Sequence, residues 1–127
     1  MLQILQTRNI EAYNEIIAKL GLEDSMPSVV EATDNDTVIG IGVYHMDFEA
    51  GAVVIDYCEW GEDIMLLDGI IRSILFLVML RGIDKAMFNK SLKDNAIKLG
   101  FVKDDSLTLE SISSVLDGCK HCKTQIK

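Results

Sequence analysis

The sequence predicts a single α/β domain with a mixed sheet: an antiparallel strand meander, then a central helix, a parallel strand and a further helix. Three observations carry this prediction. Strand-like runs separated by turn residues fill the region from Ser28 to Glu59. An almost wholly apolar helical run follows, from about Ile64 to Arg81. After Gly82 the chain shows one short strand and one capped helix. A strand that follows a strand–helix unit usually lies parallel to the first strand.

The front of the chain predicts a short strand and one helix. Met1–Gln6 has the composition of a strand. Asn9 is placed as an N-cap, and apolar residues then recur at helical spacing from Ile10 to Leu20. Gly21 follows as a natural C-cap, and Pro27 ends this segment.

The meander is predicted from its turns. The cluster Asp34-Asn35-Asp36 separates strands at Ser28–Thr33 and Thr37–Asp47, which indicates a hairpin. The turn Glu49-Ala50-Gly51 leads into a third strand, Ala52–Glu59.

Beyond the central helix, the sequence predicts smaller elements. Ile83–Asn89 is predicted as the strand parallel to Ala52–Glu59. Ser91-Leu92-Lys93-Asp94 has the spacing of a capping box, which opens a helix that ends at Gly100. Strands are predicted at Phe101–Lys103 and Leu107–Leu109 around Asp104-Asp105, and a last helix at Glu110–Asp117. We expect one domain over residues 1–118 and a polar tail over residues 119–127.

Composition and charge narrow the function classes. No basic segment with an apolar run opens the chain, and Asp68, Arg72 and Ser73 interrupt the longest apolar run, so we expect neither a secretory signal nor a membrane span. Three cysteines are too few for a disulfide framework, and a cytoplasmic protein is expected. Residues 1–71 carry two basic and fourteen acidic side chains, whereas residues 72–127 carry ten basic and six acidic ones. The acidic half disfavours nucleic acid and membrane partners and could attract an amine. A solvated surface whose charges are unevenly distributed is the alternative.

The segment that follows the meander resembles a known family. The order of apolar helix, Gly82-Ile83, strand, capped helix and Leu99-Gly100-Phe101 resembles the cofactor-binding half of the GNAT acetyltransferase superfamily. The resemblance covers roughly residues 28–110. It implies the GNAT fold, acetyl-CoA as cofactor, and acetyl transfer to a small-molecule amine or a peptide amine. It also implies that the two parallel strands diverge at their carboxyl ends, where the family holds pantetheine.

The residues that would bind acetyl-CoA depart from the family pattern. The family loop reads Gln/Arg-x-x-Gly-x-Gly/Ala, and Glu62, Met65 and Leu67 occupy its three signature positions here. Some GNAT-like proteins carry Leu-x-Asp-Ala-Leu-Leu-Arg at this place, and the run from Leu67 to Arg72 is similar to it. The backbone of Leu67, Asp68 and Gly69 is therefore the candidate cofactor contact, and a helix start used only for packing is the alternative.

A second family motif, Asn-x-x-Ala-x-x-Leu-Tyr, is only partly present. Asn89 matches the asparagine that contacts the cofactor, but it also suits a turn at a strand end. Ala96 stands where the family has the tyrosine that protonates the leaving thiolate. We expect Lys90 and Lys93 to hold the cofactor phosphates instead.

Catalysis in the family needs a base near the end of the strand Ala52–Glu59. Glu59 stands where many members have a carboxylate, and it is the candidate general base. Tyr57 lies on the same strand face by two-residue alternation and is the candidate lining of the acceptor pocket. Cys58 then points to the other face as a core thiol. A solvated carboxylate and a packed tyrosine are the plainer interpretations of Glu59 and Tyr57.

The last residues offer a further hypothesis. Cys119 and Cys122 with His121 have the spacing of a metal knuckle or a redox dithiol. A zinc site would need Cys58, His45 or a carboxylate to complete it, and an inert reduced tail is the plainer interpretation.

Three functions therefore remain after the sequence is considered. They are an N-acetyltransferase, a catalytically inactive GNAT-like module that binds a partner or itself, and a thiol or metal sensor. We also expect a homodimer that buries part of the central helix or an adjoining strand edge, because the helix is apolar on nearly every face.

Overall fold

The predicted mixed sheet is present. The computed structural model describes residues 1–103 and 106–116. The strands of this part of the chain form one sheet in sequence order: β1 (Leu2–Gln6), β2 (Ser28–Asp34), β3 (Thr37–Asp47), β4 (Ala52–Glu59), β5 (Ala86–Phe88) and β6 (Thr108–Leu109). Neighbouring strands are antiparallel, except that β4 and β5 run parallel. The predicted parallel pairing is confirmed.

Helices cover the two faces of the sheet unequally. They are α1 (Asn14–Lys19) after a 3₁₀ turn at Ile10–Tyr13, α2 (Ile64–Met79), α3 (Lys93–Lys98) after a 3₁₀ turn at Lys90–Leu92, and α4 (Ile112–Leu116). The helices α2, α3 and α4 share the larger core with Val53 and Ile55 of β4. On the opposite face, α1 packs over Val29 and Val43 in a smaller core. We call these the α2 face and the α1 face.

Two glycines of β3 let α2 lie directly on the sheet. A Cβ atom at Gly42 would lie 2.6 Å from Cγ2 of Ile70 and 2.9 Å from Cδ1 of Ile74. A Cβ atom at Gly40 would lie 2.8 Å from the carbonyl oxygen of Glu59. Real Cβ atoms essentially never approach so closely, so the helix-to-sheet distance depends on the missing side chains.

Four details differ from the sequence prediction. The predicted helix Ile10–Leu20 is divided into a 3₁₀ turn and a short α-helix. The strand predicted at Ile83–Asn89 is shorter. The strand predicted at Phe101–Lys103 is wrong. Phe101 and Val102 are buried in the core, but they lie in a bend and do not pair with any strand of the sheet. The capping box at Ser91 is also wrong, because Asn89 is the cap: its Oδ1 accepts from the amide of Ser91 at 2.9 Å.

Within residues 1–103 and 106–116, no helix has both the length and the apolar character that crossing a membrane requires. The helix expected to need the most cover, α2, buries seven residues and leaves Met65 and Phe76 more than half exposed.

Candidate functional site

A β-bulge in β4 positions the two candidate catalytic side chains. Val43 pairs with Tyr57 and Tyr44 pairs with Ile55, so Asp56 is an extra residue on β4. The bulge reverses the alternation of the strand from that point. Tyr57 therefore packs with the core of the α1 face, whereas Cys58 is buried on the α2 face. The prediction that Cys58 and Tyr57 point to opposite faces is confirmed, and Cys58 is only 5% exposed.

Tyr57 and Glu59 form a hydrogen-bonded pair. The Tyr57 hydroxyl donates to Oε2 of Glu59 at 2.5 Å. This bond, with a smaller contribution from burial, raises the pKa of Tyr57 to about 12. Tyr57 is therefore protonated at neutral pH, and it fixes the position of an otherwise exposed carboxylate.

A second tyrosine–glutamate pair lies on the same face. The Tyr13 hydroxyl donates to Oε2 of Glu31. Glu31 pairs with Ile41 on β3, and Ile41 pairs with Glu59 on β4, so the two carboxylates flank one apolar residue across the sheet. Burial raises the pKa of Tyr13, with further contributions from Glu31 and Glu59. The two pairs thus lie within electrostatic reach of each other. We call Tyr13, Glu31, Tyr57 and Glu59 the acidic pairs.

The parallel pairing of β4 with β5 ends before β4 reaches Tyr57 and Glu59. β4 pairs with β5 only from Val53 to Ile55, and the amide of Asn89 donates one more hydrogen bond to the carbonyl oxygen of Ile55 at 2.9 Å. β4 continues for four more residues, Asp56 to Glu59. In the described part of the chain, β5 contributes no partner to those residues.

The start of α2 is closed by its own cap. Oδ1 of Asp63 accepts from the amides of Met65 at 3.0 Å and Leu66 at 3.3 Å. A helix N-terminus favours an anion, and here a carboxylate of the chain takes that place. Leu67 is completely buried, and its amide donates to the carbonyl oxygen of Asp63. A pyrophosphate does not fit these amides as they are bonded.

The other predicted cofactor contacts belong to two places in the fold, α2 and the turn that leads into α3. Asp68 forms an ion pair with Arg72 at 3.0 Å on the side of α2. Gly69 faces β1, since a Cβ atom there would lie 3.1 Å from Cδ1 of Ile4. Lys90 is exposed and Lys93 is partly buried beside the Asn89 cap. The cofactor roles of these residues, and of Leu67 and Asn89, stay predictions.

The bulge residue Asp56 is buried and contacts the partly buried His45 of β3. Nδ1 of His45 and Oδ2 of Asp56 lie 2.7 Å apart, and Asp56 is only 6% exposed. Burial raises the pKa of Asp56, and His45 partly offsets that rise. His45 also borders a groove of about 650 Å³ at the far end of β3, together with Tyr44 and Arg81. His45 is therefore a hydrogen-bonded structural histidine.

Sequence reasoning placed Tyr57 and Glu59 together, and the structure does the same. It missed Tyr13 and Glu31, although a glutamate within the apolar run of β2 was a visible signal. Cys119, His121 and Cys122 lie outside the described residues. Within the described residues, no group of three or more His, Cys, Asp or Glu side chains could hold a metal ion.

Comparison with known proteins supports the fold alone. No protein-family model and no curated protein matches the chain. Among solved structures, a GNAT-family acetyltransferase from Staphylococcus aureus Mu50 matches with a TM-score of 0.56 and 8% identity, over 80% of each chain. A protein assigned to the acetyltransferases from Exiguobacterium sp. 255-15 matches with a TM-score of 0.55 and 15% identity, over 93% of this chain and 98% of that one. The chain therefore has the fold of the GNAT acetyltransferases.

Proposed function

We propose that this protein is an N-acetyltransferase that moves an acetyl group from acetyl-CoA to an amine. The observation that carries the proposal is the Tyr57–Glu59 pair on β4, beyond the point where the parallel ladder stops. On a GNAT fold, this end of β4 is where the resemblance places acceptor and thioester together. The proposed reaction belongs in the cytoplasm, which suits the free Cys58 thiol.

Glu59 is the proposed proton acceptor. A protonated amine must lose a proton before it can attack a thioester, and an exposed carboxylate at hydrogen-bonding distance can take that proton directly or through water. Tyr57 holds the carboxylate in one place and retains its own proton. Acetyl-CoA would supply the activated acetyl group.

The proposed acceptor is a cationic amine, either a small molecule or a peptide. The acidic pairs bring two carboxylates to one face, and Glu62 and Asp63 follow Glu59 in the next loop. Clustered negative charge attracts a cation and raises its rate of encounter.

A second candidate function is a catalytically inactive binding module. Two observations favour it: the Asp63 cap occupies the amides at the start of α2, and Ala96 is completely buried at the position of the family tyrosine. The third hypothesis, a thiol or metal sensor, concerns residues outside the described part of the chain and has no support from it.

Calorimetric titration with acetyl-CoA and with CoA separates the first two candidates. The proposed function requires saturable acetyl-CoA binding, together with thiol release when a panel of diamines, polyamines and lysine peptides is added. An absence of heat and of thiol release at millimolar acetyl-CoA would favour the inactive module.

We expect Glu59→Gln to lower kcat/KM for the amine by about 10²-fold, because general-base assistance contributes roughly 10²–10⁴-fold. Raising the pH should partly restore the rate, since more of the amine is then already neutral. Glu49→Gln is the matched control: it removes one exposed carboxylate from the turn at the other end of β4. Equal rates for the wild type and Glu59→Gln would remove Glu59 from the mechanism.

We expect Asp63→Asn to tighten acetyl-CoA binding several-fold. Asparagine keeps an N-cap oxygen on these amides but removes the negative charge that repels a nearby pyrophosphate. Binding would be measured by calorimetry at two salt concentrations, with Glu62→Gln as the control for net charge near the start of α2. Equal effects of the two variants would show that only overall charge matters and that the phosphates bind away from the start of α2.

A further inference from the structure

The outer edge of β1 presents unpaired backbone groups. The amide of Thr7 donates to the carbonyl oxygen of Val29, and the amide of Asn35 donates to the carbonyl oxygen of Met1. These two bonds show which residues of β1 direct their backbone groups towards β2. The odd-numbered residues of β1 therefore bond to β2. The N–H and C=O groups of Leu2, Ile4 and Gln6 point outward. In the described part of the chain, β1 pairs only with β2.

This edge lacks the usual protection. Edge strands of monomeric proteins commonly carry a lysine, a proline or a bulge that prevents pairing with another chain. The β1 sequence Leu-Gln-Ile-Leu-Gln contains no charge and no proline, and its pairing with β2 has no bulge. Leu2 is 53% exposed and Leu5 is 63% exposed.

An apolar groove runs beside the edge. It has a volume of about 450 Å³ between β1 and α2. Ile4, Phe76, Leu77 and Leu116 line it, and Phe76 is 51% exposed. The sheet leaves one apolar side of α2 uncovered. In the groove, that side of α2 lies next to the unpaired edge of β1.

The two ends of the edge carry opposite charge. The exposed Arg8 follows the carboxyl end of β1. At its amino end lies the β2–β3 turn with exposed Asp34 and Asp36, and the register places Asp34 opposite Leu2. Asp34 is paired with the amino terminus at 3.1 Å, so Asp36 supplies the net negative charge of this end. An antiparallel copy of the same edge brings Arg8 of each chain towards the acidic turn of the other. A parallel copy would bring the two arginines together.

We propose that this surface, the β1 edge, binds a second copy of the chain. The outward-facing residues pair as Ile4 with Ile4 and Leu2 with Gln6 about a twofold axis, and each pair exchanges two backbone hydrogen bonds. The two sheets become continuous. Leu2 of each copy lies beside Gln6 of the other, next to the groove lined by Phe76.

Light scattering of the intact protein at low micromolar concentration tests the oligomeric state. The expected mass is about twice the 14.1 kDa of one chain. A single-chain mass up to about 100 μM would overturn the proposal and leave the edge to a different partner.

The double variant Leu2→Glu/Gln6→Glu tests the location. It places like charges opposite each other in the proposed pairing, and glutamate retains the oxygen that accepts from the Tyr44 hydroxyl. The dissociation constant of the dimer should rise at least 100-fold, while the melting temperature of the monomer falls by only a few degrees, because glutamate at position 2 lies opposite Asp34 within the chain. The matched control is Met26→Glu/Phe48→Glu, at positions that are 89% and 83% exposed and lie outside β1. Equal weakening of both variants, or a dimer that persists in the first, would overturn the proposal.

A charge exchange tests the register. Arg8→Glu should weaken the dimer about tenfold, and adding Asp36→Lys should restore it. Failure of Asp36→Lys to restore it would overturn the antiparallel arrangement.

Discussion

Gly42→Ala should lower the free energy of unfolding by about 2–3 kcal/mol, the upper part of the usual range for overpacking. The new methyl group would lie 2.6 Å from Cγ2 of Ile70 and 3.2 Å from Cγ2 of Val30. Both neighbours are completely buried, so neither can move away without displacing others. Urea denaturation monitored by circular dichroism would measure the change.

Gly69→Ala is the matched control for this prediction. It adds the same methyl group to α2, the helix that packs on the sheet. The close neighbour of this methyl group is the end of the flexible Ile4 side chain at 3.1 Å. Alanine also favours a helix interior by about 1 kcal/mol relative to glycine. Gly69→Ala should therefore leave stability within about 1 kcal/mol of the wild type. If the two variants were equally stable, close approach of α2 to β3 would not explain Gly42.

The residues in the turns made the antiparallel strands β3 and β4 predictable from the sequence. Asn35 and Asp36 both adopt positive φ, as a tight hairpin turn requires, and Gly51 does so in the next turn. The predicted bounds of β3 and β4 are therefore those observed. The turns did not make it possible to predict that Phe101 and Val102 are buried without belonging to a strand. Phe101 is apolar as a strand residue would be, but it stacks against Phe88 at a ring-centroid distance of 6.0 Å instead of pairing.

The candidate site was less predictable because it depends on contacts between distant residues. Alternation along β4 placed Tyr57 with Glu59, but nothing local indicated that Asp56 is a bulge that turns both side chains onto the α1 face. The Tyr13–Glu31 bond joins residues eighteen positions apart. Counting from Gly82 located the start of α2, but it could not show that Asp63 would occupy the amides there.

His45→Ala should destabilise the fold by about 1–3 kcal/mol at pH 7, the usual cost of leaving a buried acceptor without its hydrogen-bond partner. Asp56 would remain buried without the partner that lowers its pKa. Its side chain is only 8% exposed, so the carboxylate would lose the hydrogen bond to His45 while staying largely out of water. The bulge that orients Tyr57 and Glu59 would loosen at the same time.

The loss of stability in His45→Ala should be smaller at pH 4 than at pH 7. Burial raises the pKa of Asp56 in the folded state above its ordinary value of 3.8, and removing His45 raises it further. Between the ordinary and the raised value, the folded state binds more protons than the unfolded state, so stability falls as pH rises through that window. Urea midpoints measured from pH 4 to pH 8 would show the slope. Adding Asp56→Asn to His45→Ala should abolish that slope, since the side chain at position 56 then cannot ionise. A slope that persisted in the double variant would assign the pH dependence to another group.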